Sequence, residues 1–189
     1  MILRWWLPVV LAFALGGCAS TKPVDTNDET LSLVYGYFDM KDAPSGLDWV
    51  SLKQYGIGKE AAWYHLRAKD GLFFHVGIEP GSYQVDKFGG TGGIPLLTRR
   101  EFEYDFGSKG RNRTAVRIGK PGLYFMGVHQ YVNHAGKGLF APDKFDMKPA
   151  QAPGEKELLQ RLVKELETDK ELAGYTRQLR LAKQRLSER

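Results

Sequence analysis

Residues 31–38 read LSLVYGYF, and this stretch decides the fold class. Every second residue is leucine or tyrosine, which is the period of a β-strand with one strongly apolar face. Similar short runs recur along the chain with turn residues between them, and no helix alternates with them. They lie at residues 49–52, 62–67, 72–76, 82–86, 102–106, 114–118 and 123–128. The pattern predicts a mainly β domain over residues 30–150, an antiparallel β-sandwich of about seven or eight strands.

The glycine-rich stretch at residues 88–93, FGGTGG, is predicted to be a loop. It lacks the Lys-Ser/Thr of a phosphate-binding loop and does not lead into a helix. Ligand contact by this loop is a second, open interpretation. Glu101 and Glu103, which follow, alternate with Phe102 and Tyr104. The two glutamates are therefore interpreted as the solvent face of an amphipathic strand.

The last third of the chain changes to a helical period. Residues 140–153 are proline-rich and are expected to be irregular, whereas residues 155–167 predict a helix with one leucine-rich face. Residues 168–171, TDKE, fit a capping box that begins a second helix. An apolar stripe starts there with Leu172, Tyr175 and Leu179. Residues 151–189 are thus a predicted helical extension. Its helices either pack on the β-domain or on each other, or the last helix docks an envelope protein or pairs with a second copy of itself through this stripe.

Two turns share a local pattern, PGSY at residues 80–83 and PGLY at residues 121–124. A Pro-Gly turn that leads a tyrosine into a strand resembles the turns of transthyretin-like and carboxypeptidase-regulatory-like β-sandwiches. The resemblance covers residues 31–131 and extends to bacterial lipoprotein families of unknown function. It implies a small sandwich used for binding or structure, with no active site to carry over.

The N-terminus has the layout of a secretory signal. Arg4 precedes an apolar run, and Gly16 and Gly17 precede Cys18. The run at residues 5–17 is shorter than the roughly 20 residues that span a bilayer. Residues 15–18, LGGC, resemble the lipobox of bacterial lipoproteins. The resemblance implies a signal peptide at residues 1–17 and a diacylglyceryl group on the Cys18 sulfur.

The residues after the cysteine indicate how such a protein is held. Two or more acyl chains make membrane attachment stable, whereas one does not. Residues 18–29 are polar without a hydrophobic period and are predicted to be a flexible tether. The resemblance also implies an outer-membrane anchor that faces the periplasm, because Ala19 replaces the aspartate that retains lipoproteins at the inner membrane. That expectation assumes a Gram-negative source.

No catalytic, cofactor-binding or metal-binding residue is predicted. Cys18 is the only cysteine, so the mature chain has neither a disulfide nor a thiol nucleophile. None of the four histidines, at positions 65, 75, 129 and 134, belongs to a helical metal-binding pair. A Gly-x-Ser-x-Gly turn is also missing from the sequence.

The chain is mildly basic, with a formal charge of +5. Lysines and arginines gather near one predicted hairpin, and Arg111 and Arg113 are its candidates for partner binding, together with the C-terminal stripe. The alternative is an ordinary solvated face. No nucleic-acid-binding motif is present.

Three functional hypotheses follow. The first is a non-enzymatic, lipid-anchored envelope protein that acts as a binding or scaffold module. The second is a subunit of an envelope or secretion assembly that docks through its C-terminal helix. The third is a periplasmic hydrolase or glycan-active enzyme whose residues converge only in three dimensions.

Overall fold

The computed structural model describes residues 26, 28–56, 61–93, 98–106, 112–134 and 144–189. Of these described residues, 48% lie in strands and 21% in helices, and the helices lie at the C-terminus. The predicted mainly β class with a C-terminal helical extension is therefore confirmed. Cys18 and the signal and tether around it, apart from tether positions 26, 28 and 29, lie outside the described residues.

The elements of the described ranges follow one another as nine strands and then two α-helices. The strands are β1 (Ser32–Asp39), β2 (Trp49–Gln54), β3 (Trp63–Lys69), β4 (Leu72–Ile78), β5 (Gly81–Gly92), β6 (Arg100–Asp105), β7 (Val116–Ile118), β8 (Leu123–His134) and β9 (Lys144–Ala150). The helices are α1 (Glu155–Thr168) and α2 (Thr176–Ser187), with a 3-10 turn at Lys170–Leu172 between them.

Hydrogen bonds join all of these strands into one sheet. The order is β6-β5-β2-β3-β4-β1-β8-β9, and β7 pairs with β5 beside β6. The pairing of β1 with β8 is parallel, while the other pairs are antiparallel. The sandwich arrangement is thus not confirmed, since a sandwich has two separate sheets and this sheet is continuous.

The sheet curls until its two ends face each other. Tyr104 on β6 packs against Phe145 on β9, with ring centroids 5.3 Å apart, and against Tyr131 on β8 at the same distance. Phe88 on β5 also meets Phe145, at 5.6 Å. These contacts enclose an inner core, so the domain resembles an incompletely closed barrel. The largest fully buried inner residues are Phe38, Leu52, Leu66, Phe73, Ile78, Tyr83, Phe88, Ile118 and Met147.

The central strand β1 is buried on both of its faces. Val34 and Phe38 point into the inner core, while Leu33 and Tyr35 lie on the outer side beneath the helices. Successive side chains of a strand alternate between faces, so each face receives every second residue. The sequence pattern identified the Leu33–Tyr35 face. The inner face includes Gly36, where a Cβ would lie 2.4 Å from the Phe73 ring.

The helices cover the outer face of β1, β4 and β8, which we call the covered half. Leu158, Leu159 and Leu162 of α1 are fully buried against it. Ion pairs hold the extension in place: Arg67 binds Asp169 and Glu171, and Lys69 Nζ lies 2.8 Å from Glu165 Oε1. The strand residues beneath the helices are Leu33, Tyr35, Leu72, Phe74, Val76 and Val128.

Two predicted segments differ from the structure. Residues 88–92 belong to β5 instead of a loop, because their glycines admit close neighbours: a Cβ on Gly90 would lie 2.1 Å from the Gly46 carbonyl oxygen. Residues 144–150, expected to be irregular, form β9, which places Met147 in the inner core. The proline in β9 lies on a strand that pairs with β8 alone among the described strands, and an edge strand accepts proline.

The capping residues also act differently from the prediction. Asp169 accepts a hydrogen bond from Glu171 N, but it caps the 3-10 turn at Lys170–Leu172. The chain then turns at Gly174, and α2 begins at Thr176. Helix α1 ends one residue beyond its predicted limit.

Candidate functional site

Apart from the ion pairs of Arg67 and Lys69 at the end of β3, the helices leave the outer face of β2, β3, β5 and β6 uncovered, and we call this the open half. Trp49, His65 and Trp63 lie on it, since their strand neighbours Val50, Leu66 and Tyr64 belong to the inner core. Trp63 is 52% exposed and is the only exposed large hydrophobic side chain among the described residues. One exposed aromatic side chain does not by itself indicate a binding surface, so the groups beside it decide the role of this half.

A groove with a volume of about 300 Å³ runs along this half beside Trp49. We call it the Trp49 groove. Strands β2, β5 and β6 place its residues side by side, because Gly89 pairs with Trp49 on one side and with Glu103 on the other. It is lined by Asp48, Trp49, Gly90, Thr91, Arg99, Glu101, Phe102 and Glu103.

Gly89 creates the space that the tryptophan occupies. A Cβ at this position would lie 2.7 Å from the Trp49 ring and 2.4 Å from the Phe102 carbonyl oxygen. The ring also stacks on His65, with centroids 5.3 Å apart and planes 17° from parallel. Stacking and the missing side chain together fix the indole in one position.

The polar side chains of the groove are held by hydrogen bonds. The Asp48 carboxylate accepts from Thr91 N at 2.8 Å and from Thr91 Oγ1 at 2.5 Å. Lys87 donates to Glu103 at 2.7 Å. The groove therefore presents three carboxylates, from Asp48, Glu101 and Glu103, and the guanidinium of Arg99. The sequence identified both glutamates as outward-facing; they are exposed, but they line the groove.

The groove lies at the end of the domain opposite to the point where the chain enters the fold. Chain entry is fixed beside α2, where Arg177 donates to the Leu31 carbonyl at 3.0 Å. Ser32 there pairs with Ile78, just before the turn into Gly81 at the start of β5. Thr91 lies at the far end of β5, roughly 33 Å from Gly81 for an extended strand.

Both Pro-Gly turns lie at the entry end, and their tyrosines make the same contact. Tyr83 Oη donates to the Glu79 carbonyl at 3.0 Å, and Tyr124 Oη donates to the Lys120 carbonyl at 2.7 Å. A tyrosine bonded to the backbone a few residues upstream is the tyrosine corner of β-domains. The repeated motif thus closes two strand connections.

The C-terminal stripe is occupied by the chain itself. Leu172 is only 5% exposed. Tyr175 and Leu179 are partly buried against the hydrophobic cluster that the helices form with the outer face of the sheet. Gln178 and Ala182 on α2 are buried as well. The surface that was a candidate for docking a partner is therefore used to attach the helices to their own domain.

The candidate basic surface is divided between distant places. Arg100 pairs with Gly92 at one end of β5, while Arg117 pairs with Ser82 at the other end. Arg113 is exposed and its Nη1 lies 4.0 Å from Asp146 Oδ2. Arg111, its predicted neighbour, is outside the described residues.

Two other clefts have rings that are already engaged. One, of about 410 Å³, lies beside Arg113 and is lined by Phe106, which packs on Phe145 at 5.8 Å. The other, of about 570 Å³, is lined by Tyr37, whose ring is covered by Arg161. The Trp49 groove differs from both because its indole lies on the same face of the sheet as the exposed Trp63.

His65, His75 and His129 serve as packing groups, whereas His134 is exposed. His75 accepts a hydrogen bond from Gly77 N at 3.0 Å, and burial together with Arg67 lowers the pKa of His75 to about 4. His129 Nε2 lies 3.1 Å from the Met126 carbonyl, and burial lowers the pKa of His129 too. Within the described ranges, no three His, Cys, Asp or Glu side chains are grouped as a metal ion requires.

Comparison with known proteins found no match: no protein-family model, curated protein or solved structure is similar to this chain. Among the residues that the structure describes, no helix has the length and apolar character needed to span a bilayer.

Proposed function

We propose that this chain is a lipid-anchored protein of the cell envelope that acts as a non-enzymatic binding module. Acyl chains on Cys18 hold it at a membrane, and the Trp49 groove is its binding surface. In a Gram-negative cell, the anchor is in the outer membrane and the domain faces the periplasm. The observation that carries the proposal is the position of the groove at the end opposite to chain entry.

That geometry suits a protein tethered at its N-terminus. The tether reaches the domain at Leu31, so the Pro-Gly turns at 80–81 and 121–122 lie nearest to the anchor. The groove is farther from the bilayer by about the length of one strand of the sheet, on the order of 30 Å. A ligand in the space beyond the membrane therefore has free access to it.

Recognition fits the groove better than catalysis. Asp48 and Glu103 are engaged by Thr91 and Lys87, so these contacts fix the direction of each carboxylate. The groove is open and its glutamates are exposed. General acid–base catalysis instead needs a carboxyl that is free to reach the proton it transfers, in a site from which water is excluded.

Lipid attachment is tested by expressing the full chain with Cys18→Ser in a Gram-negative host, with Ser20→Ala as the matched control. We expect the unchanged chain and the control to fractionate with membranes and to have an acylated N-terminal cysteine in mass spectrometry. Cys18→Ser should remain uncleaved. A free thiol at Cys18 in the unchanged chain would overturn the anchor.

Orientation is tested by labelling the lipidated protein at a single new cysteine, either Glu79→Cys or Glu101→Cys. Both positions are exposed, and acylated Cys18 does not react with the dye. Energy transfer to a dye-labelled lipid in vesicles should be strong from position 79 and weak from position 101. Equal transfer, or stronger transfer from position 101, would contradict the proposed arrangement.

A further inference from the structure

We infer that the Trp49 groove binds an uncharged oligosaccharide. This inference rests on the binding role proposed above and specifies its ligand, but it does not depend on the lipid anchor. Four features of the open half carry it: a fixed indole ring, a second exposed indole along the same face, hydrogen-bonding groups of both kinds, and an excess of carboxylates that opposes anionic ligands.

The aromatic surface suits the flat face of a sugar ring. A pyranose presents C–H groups on its faces, and these carry partial positive charge, whereas the face of an indole is negative. The Trp49 ring is held by stacking on His65 and by packing over Gly89. The indole therefore loses little conformational freedom when a sugar ring stacks on it. Such preorganisation favours binding of a flexible ligand.

A row of aromatic side chains extends beyond the groove. His65 and Trp63 are two residues apart on β3, which places them on the same face roughly 7 Å apart. Lys53 Nζ lies 4.6 Å from the Trp63 ring centroid and leaves the residue 52% exposed. A volume of about 300 Å³ is at the small end of ligand sites. The groove therefore holds a short segment of the oligosaccharide, and Trp63 contacts the sugar units that follow.

The polar groups match hydroxyls, which both donate and accept hydrogen bonds. The carboxylates of Asp48, Glu101 and Glu103 accept, and Arg99 donates. Asp48 is already oriented by Thr91, as a site that fixes a ligand's position requires. Vicinal hydroxyls of a sugar can therefore be recognised without movement of the carboxylate.

Charge disfavours the anionic ligands that stack on tryptophan. A nucleic acid or an anionic glycan would bring phosphate, sulfate or carboxylate groups against three carboxylates, and Arg99 is the basic side chain that lines the groove. An ammonium ligand, which also favours an aromatic face, would lie beside Arg99 and Lys87, and the carboxylates of Asp48 and Glu103 are already engaged. The carboxylates still outnumber these cations, so a cationic probe is part of the test.

The test is calorimetric titration of the full chain in a detergent without sugar headgroups. The uncharged probes are chitotetraose, cellotetraose and maltotetraose; a chitosan tetramer and a heparin-derived tetrasaccharide are the cationic and anionic probes. We expect saturable binding of at least one uncharged probe and weaker binding of both charged ones. Absence of binding by all three uncharged probes, or preference for a charged one, would overturn the inference.

Variants connect the binding to the groove. Trp49→Ala should weaken binding roughly tenfold, Trp49→Phe should restore part of it, and Trp63→Ala should have a smaller effect. Glu101→Gln keeps the shape and is expected to weaken binding severalfold without altering the melting temperature. Unchanged affinity in both Trp49→Ala and Glu101→Gln would contradict the assignment, whereas failure of the anchor alone would leave it standing.

Discussion

The outer face of one sheet has two halves with opposite chemistry. On the covered half, outward residues such as Leu33, Leu72 and Phe74 meet the leucines of α1. On the open half, the same outward positions carry Trp49, Trp63 and charged residues. Both halves share the inner core and the strand period. The outward residues alone determine which half is covered by the helical extension and which is left for a ligand.

The largest effect is expected on the covered half. Leu162→Ala removes a fully buried side chain between α1 and the sheet, so it should lower the free energy of unfolding by about 2–5 kcal/mol. Urea denaturation measures the change. Lys164→Ala, exposed on the same helix, is the control and should stay within about 0.5 kcal/mol. A small loss for Leu162→Ala would mean that the helices do not cover this half.

Next in size is a substitution at the glycines beside the groove. Gly90→Ala places a Cβ 2.1 Å from the Gly46 carbonyl oxygen, and the backbone there must move. We expect a loss of about 1–3 kcal/mol in the free energy of unfolding. Gly119→Ala has open space around its Cβ and should be nearly neutral. Equal stability of the two variants would contradict the close approach of residues 44–48 to β5.

A pH effect is expected at β4, where His75 packs against Tyr64 on the inner face of the sheet. The pKa of His75 is lowered to about 4 in the folded chain, so the unfolded chain binds a proton at a higher pH than the folded chain does. Stability from His75 is therefore complete above about pH 6.5 and is lost as the pH falls towards 4. Because the ring is partly exposed, we expect a loss on the order of 1–2 kcal/mol.

Unfolding of wild type and His75→Gln at pH 7 and pH 4.5 measures this effect. The variant should lose less stability between the two pH values than the wild type does. His134→Gln, exposed at the end of β8, should behave like the wild type. The same acid loss in His75→Gln and in the wild type would remove His75 from the explanation.

The smallest effects are expected at the two tyrosine corners. Tyr83→Phe and Tyr124→Phe each remove one hydrogen bond to a backbone carbonyl, worth about 0.5–1.5 kcal/mol. Tyr83 is fully buried, so its loss should be the larger of the two. Thermal unfolding of both variants checks the order. A larger loss from Tyr124→Phe would show that burial does not set the strength of these contacts.

Local patterns in the sequence predicted local elements well. The period of two predicted β1, the leucine spacing predicted α1 almost to its end, and the repeated Pro-Gly pattern predicted two turns that lead into strands. These features depend on residues close together in the chain. The mainly β class therefore followed from the sequence.

Features that depend on distant residues did not follow. The glycines at 89, 90 and 92 indicated a loop. In the structure they are needed within β5 because Trp49 and residues 44–46 pack too closely against them to leave room for a side chain. The C-terminal stripe indicated a partner as readily as the chain's own core, since amphipathic spacing does not identify what covers a face. The groove depends on the register in which β2, β5 and β6 pair, and the sequence of a single segment does not determine that register.

The most direct test of the division between the two halves is nuclear magnetic resonance of ¹⁵N-labelled protein during titration with the uncharged tetrasaccharides. The indole N–H signals of Trp49 and Trp63 should shift with the amides of Thr91 and Glu103, while the amides of α1 stay in place. Shifts confined to α1 and α2, with unchanged indole signals, would contradict the account.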